Sequence, residues 1–212
     1  SALTCDVAVV GAGPTGLTVA NLLGAAGVRT VLIERNASTV QDPRAVSIDD
    51  EALRTMQALG LDADVLRDIV QGCGYDYLGP DGSCFLRVEP AARPYGFPRR
   101  SNFRQPLLEG TLREGLARFP TVTACFSHAC EDAVEDAEGV TLDVHAPDGT
   151  RVEVRASYVA ACDGARSPLR RALKSGARSR RPACGRSIPT AGGGPGPARG
   201  RGGCREGRWR RR

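Results

Sequence analysis

The sequence predicts an α/β fold interrupted by an antiparallel β insertion and followed by a tail that cannot fold by itself. Three observations predict it. A buried strand, a glycine-rich turn and a helix follow one another in DVAVVGAGPTGLTVA, residues 6–20. A second buried strand comes directly after that helix, as in a βαβ unit. Further along, apolar and polar residues alternate on both sides of Pro147-Asp148-Gly149, which marks a hairpin that a purely parallel sheet does not contain.

The elements are justified in order. Cys5–Val10 is a short run too continuously apolar to have a wet face, so it is a strand buried on both sides. Pro14–Gly27 is a helix: proline suits the first helical turn, and small and apolar residues at its start allow close packing. RTVLIER, 29–35, is a second buried strand ending in Glu34. Asp49, Asp50 and Glu51 give an acidic start to a helix running to about Leu59 and stopped by Gly60. GPDGS, 79–83, is turn chemistry between two apolar segments. Pro106–Phe119 has helical composition and spacing, and 139–156 is the clearer hairpin. SYVAACDGARS, 157–167, is expected as one more, separate buried strand that stops at Asp163-Gly164.

Charge divides the chain. Residues 1–173 carry 17 arginines, no lysine and 23 carboxylates, a formal charge of −6, whereas residues 174–212 carry 12 basic side chains against Glu206 alone, a charge of +11. The net +5 is therefore the sum of an acidic body and a basic tail, and it does not make the body a nucleic-acid-binding domain. Ile188 and Trp209 are the large apolar residues of that tail, set among 10 glycines and 4 prolines. Burying them returns about 1.5–3 kcal/mol each. Ordering 39 residues costs about 1–2 kcal/mol per residue. Residues 1–173 are thus expected to be the folded domain and 174–212 a disordered Arg/Gly/Pro-rich tail. No apolar run is long enough to span a bilayer, and Ala8–Val10 lacks the basic flank of a signal peptide. The eight cysteines form no CxxC pair and no His–Cys cluster of zinc spacing, so no metal ligand is assigned and reduced thiols of a cytoplasmic protein are expected.

The chemistry-bearing segment is Gly11-Ala12-Gly13-Pro14-Thr15-Gly16, a GxGxxG between strand and helix. Gly11 permits the tight turn, Gly13 omits the side chain that would block a pyrophosphate, and Gly16 lets the helix approach the strand. Free N–H groups at the helix start, with about half a positive charge from its dipole, hold the phosphates. Glu34, 18 positions after Gly16, can accept from ribose hydroxyls and would repel a 2′-phosphate, which selects FAD or NAD over NADP at this turn. Read alone, Glu34 is also compatible with a solvated strand end. A simple NAD-binding half would reach its next parallel strand quickly; residues 36–61 instead give a loop, Arg44 and an acid-capped helix.

The succession GAGPTG, IER, PRAVSIDDEALRTMQALGL, GFPRRSNFRQP and ACDGARSPLRRAL resembles the single-component FAD-dependent aromatic hydroxylases, nearly continuously over residues 5–173. The resemblance implies a Rossmann-like FAD-binding domain in which Gly11, Gly13 and Gly16, with Pro14 and Thr15 between them, take the FAD pyrophosphate. It implies that Glu34 takes the adenosine ribose and that Arg35 lies along the adenosine half. It places Arg44 of the PRA loop near the phosphates and the flavin edge. Gln105 would hydrogen-bond the cofactor, and Asp163 of the Asp-Gly motif would serve FAD and the reduced nicotinamide. Without the resemblance, Arg44 is an exposed loop arginine, Gln105 a helix-start residue and Asp163 part of a strand-ending turn. The implied reaction reduces the flavin with NADH or NADPH and inserts one atom of O₂ into a phenolic acid. The cofactor carries that chemistry, so no catalytic acid or base is assigned; His128 and His145 have no partner at useful spacing.

Members of that group are more than twice as long, continuing past the Asp-Gly strand into a substrate-binding sheet and a second flavin-binding motif. None of that is visible here. The change of composition after Leu173 suggests a shifted reading frame in a G/C-rich gene, and a truncated FAD domain is expected to expose apolar surface, to aggregate, to hold FAD weakly or not at all, and to be inactive alone. Two other readings stand beside it. One is a different FAD oxidoreductase of the same fold, although a missing CxxC disfavours the disulfide reductases. The other is a non-catalytic binder whose ARGRGG tail segment engages nucleic acid, a reading weakened by the lack of interleaved aromatics.

Overall fold

A central sheet of six strands in the order β8-β2-β1-β11-β10-β9 organises the chain. The computed structural model describes residues 2–38, 44–89, 91–165 and 167–169, to which every structural statement refers; the tail predicted over 174–212 lies outside them. Strands β1 (Ala2–Val10), β2 (Thr30–Glu34), β8 (Val122–Phe126) and β11 (Arg151–Ala161) run parallel. Strands β9 (Ala129–Asp136) and β10 (Gly139–His145) add antiparallel to β11. This is the α/β fold with an antiparallel extension that the sequence predicts.

Strands β1 and β2 are apolar through their centres because each face has its own core. Val9 and Leu32 point to one face; Ala8, Val10, Val31 and Ile33 point to the other. The first face is covered by α1 (Pro14–Ala25), α2 (Asp50–Ala58), α3 (Asp62–Arg67) and α4 (Gln105–Gly115), through Leu17, Leu53, Val65, Leu108 and Leu112. Buried Asn21 ties α1 to α4 by donating to the carbonyls of Leu17 and Leu112, at 2.9 and 2.8 Å. The second face is closed by the antiparallel strands, which curl until β9 lies against β2. Val140, Leu142, Val144, Val154 and Leu169 fill that core.

Between β2 and β8 the chain makes a long excursion. Asp49 caps α2 by accepting from the Ala52 amide at 2.8 Å, and Gly60 ends that helical segment at φ +66°. Short strands β3 (Ser47–Asp49), β4 (Ile69–Gln71) and β7 (Arg100–Phe103) form a small antiparallel sheet. Strands β5 (Tyr75–Leu78) and β6 (Cys84–Val88) form the hairpin expected around residues 79–83.

One expectation changes. The strand expected to begin at 157 is the continuation of the hairpin strand, because β11 runs unbroken from Arg151 to Ala161. Exposed apolar surface is present on the main sheet, as expected, at Tyr158 of β11 and Val134 of β9, and also at Tyr77, Leu78, Phe85 and Leu86 on the β5–β6 hairpin. No helix among the described residues is long and apolar enough to cross a membrane, and the six described cysteines are free thiols.

Candidate functional site

The site lies where strand order reverses. From β1 the chain moves through α1 to β2 on one side, whereas β11 pairs with β1 on the other. The crevice beyond the carboxyl ends of β1 and β11 is the topological switch point at which open α/β sheets bind ligands. Two segments meet there: the glycine turn after Val10 and the Cys162-Asp163-Gly164 turn after Ala161. They are joined by a 2.8 Å bond from the Cys162 amide to the Val10 carbonyl.

The three turn glycines do different things. Gly11 has φ +101°, and a Cβ there would lie 2.4 Å from the Cys162 carbonyl oxygen, so both its conformation and its contact require glycine. A Cβ on Gly16 would lie 1.8 Å from the Gly11 carbonyl oxygen, which lets α1 start against the turn itself. Gly13 is the N-cap at φ −72°, ψ −177°, and a Cβ there would meet nothing within 4 Å. Its missing side chain therefore leaves open the space in front of the helix start rather than relieving an internal contact.

That space is lined by donors. Pro14 has no N–H, the Gly11 amide is used by the Ile33 carbonyl at 2.8 Å, and the Ala12 amide donates to Glu34 Oε2 at 2.7 Å. The amides of Gly13, Thr15 and Gly16 have no partner among the described residues, and Thr15 is exposed beside them. Three free N–H groups at a helix N-terminus form an anion site by geometry and dipole together.

Glu34 is half-buried, and its second oxygen accepts from the Asn36 amide at 2.8 Å. The carboxylate therefore sits beside the turn, fixed by two backbone donors, with lone pairs left for further hydroxyl groups. Arg35 and Arg44 are exposed, and neither guanidinium is engaged by a described residue. Asp163 accepts from the Leu169 amide through Oδ2 at 3.3 Å, while its Oδ1 is buried without a hydrogen-bond partner. An orphaned buried acceptor beside the donor-lined space is a position that a ligand hydroxyl would satisfy.

Gln105 has protein partners that its sequence position does not reveal. It begins α4 but is buried, and its Oε1 accepts from the amides of Arg44 and Ala45 at 2.8 and 3.0 Å. Its Nε2 donates to Glu109 Oε1 at 2.8 Å, and Glu109 is buried as well. Both acceptor positions of Gln105 are thus taken up by the loop that carries Arg44. Glu109 escaped the sequence reading, although an acidic residue one turn after Gln105, on the helix face of Leu108 and Leu112, signals a buried polar pair. His128 binds locally, its Nδ1 2.7 Å from the Phe126 carbonyl, and His145 lies 3.9 Å from Asp143. A separate cleft of 820 Å³, lined by Asp49, Glu51, Glu89, Tyr95, Arg99 and Arg100 among others, shares no residue with the turn.

A strand, a GxGxxG helix start, an acidic second strand end and an Asp-Gly turn at the switch point define a dinucleotide-binding flavoprotein domain. The family model for the FAD binding domain matches residues 4–185, and the chain belongs to that family. Its curated relatives include the 3-(3-hydroxyphenyl)propionate/3-hydroxycinnamic acid hydroxylases of Burkholderia cenocepacia (strain HI2424), 47% identical over 168 residues, and of Klebsiella pneumoniae (strain 342), 43% identical over 170 residues. The alignments cover 79% and 80% of this chain and 31% of each relative, so the chain spans about a third of the length of these enzymes. Among solved structures it is similar to p-nitrophenol 4-monooxygenase PnpA from Pseudomonas putida DLL-E4, with a TM-score of 0.74 and 31% identity over 81% of this chain and 44% of that one. The flavin-dependent monooxygenase PieE, solved with FAD and substrate, gives a TM-score of 0.71 at 25% identity, covering 81% of this chain and 32% of the other.

Proposed function

We propose that this chain is the FAD-binding portion of an aromatic-ring monooxygenase acting on a phenolic acid of the 3-(3-hydroxyphenyl)propionate kind, in the cytoplasm, with NADH or NADPH as reductant. The observation that carries the cofactor assignment is the set of three partnerless amides, Gly13, Thr15 and Gly16, facing the open space that Gly13 leaves. A pyrophosphate there would accept from those amides. Glu34 would accept from the adenosine ribose, and Arg35 would flank the adenosine. Arg44 would add a charge-assisted bond on the phosphate side, and the orphaned Asp163 Oδ1 would accept from a cofactor hydroxyl. The residues present therefore fit FAD.

Once bound, FAD supplies electron acceptance from the nicotinamide and the activation of oxygen. The chain's own contribution is binding and orientation: donors for the diphosphate, acceptors for the sugar, and a sheet end that fixes both. Residues 1–173 would form this domain and 174–212 a tail apart from it. The substrate class follows the relatives' names. The 212-residue chain by itself is expected to hold FAD weakly and to leave 3-(3-hydroxyphenyl)propionate unhydroxylated.

Titrating the purified chain with FAD and following quenching of flavin fluorescence tests the assignment. Saturable binding is expected, and Asp163→Asn together with Glu34→Ala should weaken it at least tenfold, about 1.4 kcal/mol. Deleting residues 174–212 should leave it unchanged. Binding that disappears with the tail, or falls steeply with salt, would favour a polyanion-binding role of the tail instead.

A further inference from the structure

We infer that Gln105 and Glu109 are a positioning pair that sets the Arg44 loop toward the cofactor. The inference rests on the FAD reading above for its functional meaning, and on hydrogen-bond polarity for its mechanism. Residues 44 and 45 lie some 60 positions before α4 in the chain, and the side chain of Gln105 joins them to that helix by accepting from both amides. Just beyond, the Phe103 amide donates to the Val46 carbonyl at 3.0 Å, and β3 pairs with β7 from Ser47 onward. The loop's carboxyl-side end is thus stitched to the segment leading into α4, and the Gln105 carbonyl is the first stitch. The Arg44 side chain stays exposed while its backbone is held.

An amide can be turned either way round in such a place. With its NH₂ toward the loop, Gln105 would face two N–H donors with a third and fourth, and all would be left unsatisfied in a buried site. Glu109 excludes that orientation. Its carboxylate oxygen, 2.8 Å from Nε2, can accept but cannot donate in its place, so the NH₂ must face Glu109 and the carbonyl must face the loop. Glu109 therefore acts on Arg44 through Gln105, one helical turn away, without touching the ligand space itself.

The polarity can be inverted chemically, which gives the test. Gln105→Glu sets two carboxylates against each other and removes the donor to Glu109. Gln105→Glu/Glu109→Gln restores a donor and an acceptor with their places exchanged. Glu109→Gln alone keeps an acceptor for Nε2. Two readouts are taken on the full chain: hydrogen exchange of the Arg44 and Ala45 amides without ligand, and the FAD dissociation constant by fluorescence titration. Q105E is expected to speed exchange at both amides at least tenfold and to weaken FAD at least tenfold. The double variant should return both readouts to within threefold of wild type, and E109Q should stay within threefold throughout. Unchanged exchange in Q105E, or a double variant no better than Q105E, overturns the inference. Should Q105E fail to fold, Q105M takes its place under the same exchange criterion. If the wild-type chain binds no FAD at all, the cofactor reading fails while the exchange data still decide whether the pair holds the loop.

Discussion

Replacing Gly16 and Gly13 separately by alanine distinguishes the two uses of glycine in the turn. At Gly16 the new Cβ would lie 1.8 Å from the Gly11 carbonyl oxygen, whereas ordinary contact begins near 3.4 Å. The start of α1 must therefore withdraw by about 1.6 Å, and the contact in its way is backbone, which has no rotamer to escape into. Overpacking of this kind costs about 1–3 kcal/mol. In a domain of this size each kcal/mol moves the melting temperature by about 2–4 °C, so Gly16→Ala should melt roughly 2–12 °C lower. At Gly13 the backbone, φ −72° and ψ −177°, suits alanine, and no atom lies within 4 Å of the added carbon. Losing glycine from the N-cap costs up to about 1 kcal/mol. The stiffer unfolded chain returns about 0.4–1 kcal/mol. Gly13→Ala should thus melt within about 3 °C of wild type yet bind FAD at least tenfold more weakly, because the methyl occupies the diphosphate's space. Circular dichroism melts without ligand, followed by FAD titration of each variant, give both numbers. A Gly16→Ala protein as stable as wild type, or a Gly13→Ala protein that binds FAD unimpaired, would refute the assignment of these roles.

Two further outcomes follow from side-chain environments. Burial, with nearby Asp163 adding to it, pushes the Cys130 thiol up to about 12, whereas Cys84 is exposed. Iodoacetamide at pH 8 should therefore alkylate Cys84 in the native chain and reach Cys130 only in denaturant; equal labelling of the two, seen by peptide mass spectrometry, would contradict the packing of β9. The Asp136 carboxyl is held down to about 2, first by the paired guanidinium bonds from Arg155 and then by the Glu138 amide. Its folded value lies below the unfolded one near 3.9. Its contribution to stability is thus present above that value and is lost as pH falls toward 2. Urea midpoints of wild type and Asp136→Asn should differ at pH 6 and converge by pH 2; a gap that persists at pH 2 would show that the charge is not the cause. The group is exposed, so the gap itself should be small.

The parts of the molecule legible in the sequence are those whose signals are local. The glycine turn, α1, β2 and the Asp49 cap each follow from residue types within one or two turns of chain, and their observed bounds differ from the expected ones by a residue or two, or by three at the start of β1. Strands β3, β4 and β7 are three or four residues long, too short for a period to show. Strand β9 carries Glu131, Asp132, Glu135 and Asp136, as suits an edge that must not pair further, and those charges conceal its alternation. Strand β11 was divided in two at Ser157 because its composition changes there, and the change coincides with the last β10 pairing at Ala156. At the site, the separate reasons for lacking a side chain at Gly13 and at Gly16 could be anticipated from spacing. The engagement of Gln105 could not, since its partners at 44 and 45 are brought to it by tertiary structure alone.

The adjacency of β1 and β11 bears on how the domain comes into being. Strand β1 is flanked in the finished sheet by one strand that leaves the ribosome soon after it and by another, Arg151–Ala161, that emerges about 150 residues later. At synthesis rates of about 5–20 residues per second, that second neighbour is absent for roughly 7–30 s. During this interval one rim of the nascent sheet is unzipped, and the backbone of residue 162 is not yet there to press against Gly11. The nucleotide cradle is therefore completed only once that strand has been made, and the same strand carries Asp163 to its rim.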